Sequence, residues 1–205
     1  TEKEKKMDNN IVYSNFFKMT KKEEDLFSKL KKETDENEKE NLLSQIHAER
    51  GIYKNENGNL YVSDMKFVEY ILAVFFVICI NGSIAFYNFS AHKYEYVMEA
   101  DYATFFKNLL DEVDKRLWNS KLERKYIGRF KREIQTRLRE WSIPEGWIIF
   151  DNGCFNIKDG TFIKGDHPGI YNFNNTGYSY SKDAKAPVFI DFITDVMGGD
   201  KSLIN

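Results

Sequence analysis

The densest chemistry in the sequence is a run of positive charge. Between Lys121 and Trp141 stand Lys121, Arg124, Lys125, Arg129, Lys131, Arg132, Arg137 and Arg139, against Glu123, Glu133 and Glu140. Eight cations against three carboxylates give a local charge of +5 in a chain of net charge -2. On a helical projection Arg124, Lys125, Lys131, Arg132 and Arg139 lie off the apolar face, without forming one tight line. Each phosphate that such a side chain neutralises adds salt-sensitive affinity for nucleic acid. Arg124, Lys125, Arg129, Lys131, Arg132, Arg137 and Arg139 are therefore the candidate DNA-binding residues. The competing reading is a solvated helix face laced with i,i+4 pairs such as Glu133 with Arg137.

Other candidate groups read as structure. Aromatics interleave with Asn at Phe86-Tyr87-Asn88-Phe89 and at Tyr171-Asn172-Phe173-Asn174. Exposed rings of this kind stack unpaired bases, but packing of strand and loop side chains into the core is the favoured reading. His47, His92 and His167 have no Cys or carboxylate at a ligand spacing, which argues against a metal site. Asp151, Asp159 and Asp166 fall at turns, where Asp is ordinary turn chemistry. The sequence has no Gly-x-x-x-x-Gly-Lys-Ser/Thr loop and no Gly-x-Ser-x-Gly elbow. Catalytic residues are not expected in this chain, and neither is a cofactor.

The elements that carry these residues follow from periodicity. Lys21 to Lys32 reads as a helix with Thr20 as N-cap and Glu23 completing a capping box. Leu42, Leu43 and Ile46 mark a second helix, stopping at Arg50-Gly51. Ile52-Tyr53 and Leu60-Tyr61-Val62 form a hairpin, and Ser63 or Asp64 caps a third helix running to about Phe75. Helix, helix, hairpin, helix is the order of a winged-helix variant. Tyr70 to Ile80 is apolar but only eleven residues long. A membrane span needs about twenty, so this run reads as a buried helix-to-strand junction and no membrane partner is expected. Val77–Ile80, Ser83–Tyr87 and Tyr94–Val97 form a meander around an Asn81-Gly82 turn, with one covered face.

Asp101 is expected to cap a long helix carrying Phe105, Phe106, Leu109, Leu110, Val113, Leu117 and Trp118 at spacings of three and four. The basic helix, Lys121 to Trp141, should pair with it antiparallel. Trp147-Ile148-Ile149-Phe150, Cys154-Phe155-Asn156-Ile157 and Thr161-Phe162-Ile163 alternate with Asp151-Asn152-Gly153 and Asp159-Gly160, which reads as a second meander. Ala186-Pro187 opens a helix whose buried face is Phe189, Phe192, Ile193 and Val196. Gly198-Gly199 stops it, and a further helix begins at Asp200.

The totals fit this reading. The fold class is α+β, mostly helical with small antiparallel β-meanders. Seventeen Phe, twelve Tyr and three Trp in 205 residues supply the core. The two cysteines, Cys79 and Cys154, fall in strand-like apolar runs and read as buried free thiols. A reducing, cytoplasmic setting is expected. The organisation expected is a tail or linker over 1–20, a helical segment with a small hairpin over 21–64, and a domain over 65–205.

Three blocks of the sequence, taken in order, resemble one family. They are Ile84-Ala85-Phe86-Tyr87 to Tyr94-Glu95, Phe150-Asp151-Asn152-Gly153 through Asp159-Gly160, and His167-Pro168 through Tyr180 to Ala186-Pro187-Val188-Phe189 and Gly199-Asp200. Together they resemble the helicase-associated, collar-type domain of phage, plasmid and poxvirus primase-helicases of superfamily 3, over Met65 to Asn205. The resemblance implies a DNA-replication accessory domain of a mobile-element protein, aiding ring assembly and DNA handling. It implies single-stranded or forked DNA and further copies of the protein, as a hexamer, as partners. ATP and magnesium would serve an ATPase domain beyond this piece. The rival expectation is a purely structural oligomerisation or protein-interaction module without DNA binding.

Overall fold

A computed structural model describes residues 15–137 and 145–198, and the fold is α+β. Helix α1 (Lys21–Lys32) starts at Thr20, whose hydroxyl accepts the Glu23 amide at 3.2 Å. The Glu23 side chain does not complete the expected capping box. It turns inward, fully buried, and accepts from Arg50 Nε at 2.8 Å and from the Tyr70 hydroxyl at 2.9 Å. Arg50 closes α2 (Glu36–Glu49) and is itself 4 % exposed. Its Nη1 also donates to Glu112 at 2.7 Å. A buried cation left unpaired is strongly destabilising, which is why Glu23 serves Arg50 and not its own helix end. Burial opposes the charge, but Tyr70, Glu23 and Glu112 hold the guanidinium protonated.

The hairpin β1 (Ile52–Lys54) and β2 (Leu60–Val62) follows, with Ile52 opposite Val62. Gly51 enters it at φ +76, where a Cβ would stand 2.6 Å from the Phe67 nitrogen. Only glycine lets α3 (Asp64–Val74) pass this close. Helix α3 buries Phe67, Val68, Tyr70, Ile71 and Val74, so the apolar run is the helix-to-strand junction expected of it. Among the described residues no helix is long and apolar enough to cross a membrane.

Strands β3 (Val77–Ile80), β4 (Ser83–Asn88) and β5 (Lys93–Tyr96) form an antiparallel sheet in chain order, with Val77 opposite Phe86 and Tyr87 opposite Tyr94. The reading of one covered face is corrected here, because both faces are covered. Phe86 points to the main core, with ring centroids 5.6 Å from Phe75, 5.9 Å from Tyr102, 6.0 Å from Phe105 and 6.2 Å from Phe130. On the other face Ile78, Ala85, Tyr87 and Tyr94 pack against Tyr171 and Phe173 from a distant loop. That loop acts as a strap. The Tyr94 amide donates to Asn172 O at 2.8 Å and the Tyr94 hydroxyl to Pro168 O at 2.6 Å. His92 Nδ1 lies 2.8 Å from Asp166. Phe16 and Phe17 also join the main core, Phe16 stacked on Phe105 at 5.6 Å.

The helix expected over Asp101–Trp118 is divided. Helix α4 (Glu99–Asp111) begins two residues earlier, with no side-chain cap at Met98. Asp114 then caps a separate 3-10 turn, Lys115–Leu117, by accepting the Arg116 amide at 2.8 Å. Asp offers the backbone this alternative to continuing a helix. Helix α5 (Ser120–Arg137) packs Phe130 against Tyr102 and Phe106 of α4, but runs closest along α3.

Strands β6 (Trp147–Phe150), β7 (Gly153–Asn156) and β8 (Phe162–Lys164) form the second meander. Gly153 sits opposite Lys164 at φ +155, and a Cβ there would meet Ile163 O at 2.2 Å. Tyr180 closes this sheet, its ring 4.5 Å from Phe162. Helix α6 (Pro187–Val196) has Pro at its first turn, as expected. Its expected buried face is not buried. Phe189 is 60 % exposed, Phe192 61 % and Val196 62 %, because no other described element covers it. Gly198 follows at φ +63, and the helix expected from Asp200 lies outside the described residues.

Two outcomes are expected. Glu23→Ala should lower unfolding free energy by about 3–5 kcal/mol in urea titration, because Arg50 would stay buried with its charge uncompensated; a loss under about 1 kcal/mol, the scale of an exposed pair, would show the pair to be dispensable. His47 on α2 carries the second. Burial first, then Arg50 and Lys54, push its pKa down to about 4. The unfolded chain therefore binds the proton more readily than the folded one. The stability present above pH ~6.5 should fall as pH drops toward 4. His47→Gln should flatten that fall in urea midpoints, and an unchanged profile would remove His47 from the account.

Candidate nucleic-acid interface

The basic run folds as the helix expected of it. Asn119 starts α5 by accepting the Lys121 and Leu122 amides, each at 3.1 Å. Tyr126, Ile127, Phe130 and Ile134 recur at helical spacing and are buried. Trp118 braces the first turn by donating from Nε1 to Glu123 at 3.0 Å. The apolar face thus fixes the rotation of the helix, and the cations fall on its flanks and outer side.

The flanking cations are engaged. Lys125 Nζ lies 3.1 Å from Asp64, and Arg129 reaches the other Asp64 oxygen at 3.3 Å. Arg129 also lies 3.8 Å from Glu133. Lys131 pairs with Glu99. Asp64 opens α3 and Glu99 opens α4, where carboxylates already favour the helix dipole. Burial pulls the other way, but bonds and charge from Lys125 and Arg129 hold the Asp64 carboxyl below its usual range. Part of the basic run therefore clips α5 onto two neighbouring helices. Nothing in the sequence marks Asp64 or Glu99 as partners, since they lie 61 and 32 positions from Lys125 and Lys131.

The outer side carries further cations. Arg124 and Arg132 are exposed, and Lys121 and Lys125 lie along the same side. Gly128 sits between them; a Cβ there would be 3.6 Å from the Arg132 guanidinium. The structure thus brings Arg124, Lys125 and Arg132 onto one outward stripe and turns Arg129 and Lys131 toward α3 and α4. Arg137 ends α5, and Arg139 lies outside the described residues.

No model of a known protein family and no curated protein matches this sequence.

The alternative sites are occupied by packing. Tyr171 and Phe173 sit against Tyr94 and Tyr96, with Phe173 stacked on Tyr96 at 4.8 Å. Tyr87 meets Phe89 at 5.1 Å. Those rings stack on one another. Asp159 accepts the Thr161 amide at 2.8 Å, a turn contact, and His167 lies 3.1 Å from Lys164 O. Among the described residues no group of three or more His, Cys, Asp or Glu side chains could hold a metal. Cys154 is buried and Cys79 half-buried, both free thiols. Burial, then the Asp166 charge, raises the Cys154 pKa to about 11, so it stays a thiol at neutral pH.

A double-mutant cycle tests the clip. Asp64→Ala and Arg129→Ala should couple by about 0.5–1 kcal/mol in unfolding free energy. Strict additivity would show that the Asp64–Arg129 pair does not help to hold α5.

Proposed function

We propose that this chain is a DNA-replication accessory domain of a mobile-element primase-helicase, cytoplasmic and not itself catalytic, that handles DNA on the outer side of α5. The observation that supports it is the stripe of Arg124, Lys125 and Arg132 on a helix whose inner face is fixed in the core. A fixed helix presents its cations without a backbone ordering cost, and phosphate contact needs only charge and register. The pair that Lys125 makes with Asp64 is surface-exposed and weak enough for a phosphate to displace. ATP and magnesium act, in this reading, at an ATPase domain elsewhere in the whole protein, and the whole protein assembles as a ring. The order of the three sequence blocks supports the replication context. The rival, a structural module without DNA binding, draws on the engagement of Arg129 and Lys131 by carboxylates.

The test is fluorescence anisotropy with single-stranded and forked DNA across a salt series. Arg124→Glu with Arg132→Glu should weaken binding by about tenfold or more and flatten the salt slope by roughly 0.7 per lost contact. Circular dichroism of the variant should show the wild-type helix content. Binding indifferent to this pair, or absent in the wild type, would leave the structural module as the reading.

A further inference from the structure

The strap over β5 stands on two feet, both on the second meander. The Gly165 amide donates to Asn152 O at 3.0 Å, and the Thr176 amide donates to Ile149 O at 3.0 Å. Beyond the second foot, Asn152 donates to Tyr180 O at 2.9 Å and accepts the Tyr180 amide at 2.8 Å. Between the feet, residues 166–175 lie along β5 and the turn before it.

The grip of that middle stretch is shallow. None of its residues is buried. Among the described residues one backbone bond joins it to β5, from the Tyr94 amide to Asn172 O at 2.8 Å. Side chains add the rest. Asp166 meets His92 Nδ1 at 2.8 Å, and Tyr87 faces it from β4. Pro168 O accepts the Tyr94 hydroxyl at 2.6 Å, and Asn175 Nδ2 donates to Ala91 O at 2.9 Å. Phe173 stacks on Tyr96, which is itself 59 % exposed. The sheet beneath is held differently, with Phe86 fully buried in the main core. Segments with few buried contacts open at free energies far below that of global unfolding.

The ends of the stretch are built to turn. Gly165 stands at φ +91 and Gly177 at φ +72, and a Cβ at either would meet nothing within 4 Å. Space is therefore not what these positions require. What glycine supplies there is backbone rotation through the left-handed region at no steric cost. Hinges are a few loop positions that absorb such changes.

We propose that the strap is a lid: residues 166–175 swing off β5 as one piece about Gly165 and Gly177, while the rest of the fold stays formed. Open, it uncovers the Tyr94 amide and the face of Ile78, Ala85, Tyr87 and Tyr94. Strand β5 then becomes a bare sheet edge, a surface that folded proteins otherwise keep covered. The lid is independent of the DNA contact on α5.

Native-state hydrogen exchange, read amide by amide by NMR across low urea concentrations, tests it. Strand β5 carries its own control. Amides alternate in direction along a strand, so Tyr94 faces the strap while Glu95 faces Phe86 of β4. Tyr94 should exchange about 100-fold faster than Glu95 and with a much flatter dependence on urea, because lid opening exposes little surface. Phe173→Ala should speed Tyr94 exchange by about tenfold through the lost ring contacts. Gly177→Ala tests the hinge. An alanine at positive φ strains the closed lid and is relieved when the hinge turns, so Tyr94 exchange should rise about fivefold. Circular dichroism checks that both variants fold, and Gly165→Ala replaces Gly177→Ala should the latter misfold. Tyr94 and Glu95 exchanging at one rate with one urea slope overturns the lid, since the strap would then leave only on unfolding. Tyr94 exchange unmoved by the hinge substitution overturns it too, since the strap would then depart without turning at its ends.

Discussion

Arg50 is a full positive charge in a place with almost no water. It is 4 % exposed, at the point where α2 stops and the first hairpin begins. Such a charge dictates its surroundings, because taking an ion out of water costs several kcal/mol and only close opposite charge and hydrogen bonds offset it. Glu23 arrives from α1 and Glu112 from the end of α4, while Tyr70 of α3 donates its hydroxyl to Glu23 and sets its ring 6.0 Å from the guanidinium. Four helices therefore meet at one guanidinium. The fork of donors on Arg fixes angles as well as distances. Apolar packing alone, with Ile46, Phe67 and Leu109 nearby in sequence to these groups, would allow helices to slide; a buried ion group with its bonds made does so far less readily.

The same physics, weaker and nearer water, governs α5. Its inner face is decided by Tyr126, Phe130 and Ile134, and its cations then sort themselves by what lies within reach. Where a helix start presents a carboxylate, the cation closes on it. A run of +5 is thus not one surface. It is a clip on two flanks and a stripe on the outside, with Lys125 belonging to both.

Much of the fold was legible in the sequence because it rests on local rules. Thr20 before Lys21, Gly51 after Arg50, Asn81-Gly82 between strands and Pro187 at a first turn each act within a few residues, and each element appears where those signals place it. What was not legible depends on distance. Glu23 obeys the local pattern of a capping box, yet a guanidinium 27 positions away outcompetes the backbone amide. The apolar period through Leu117 says nothing of Asp114, whose side chain ends the regular helix early. Tyr94 and Tyr96 alternate like one covered face, but a strap some 75 positions further on covers Tyr94 from the other side. The α6 face reads as buried because periodicity reports that a face is apolar, not where its cover comes from. The basic stripe was legible as charge, while its division needed Asp64 and Glu99 in space.

The strap over β5 has a consequence for how the chain is made. Synthesis runs from the N-terminus, and the sheet β3–β5 is complete once Tyr96 has left the ribosome. The Tyr94 amide and the surface of Ile78, Ala85 and Tyr87 then wait for Asn172, Tyr171 and Phe173. At about 5–20 residues per second the wait lasts several seconds. During it the nascent chain carries an open strand edge beside an uncovered aromatic surface, the combination most prone to pairing with other chains. The molecule has a window of exposure written into its order of elements, one that closes only when the second meander has emerged.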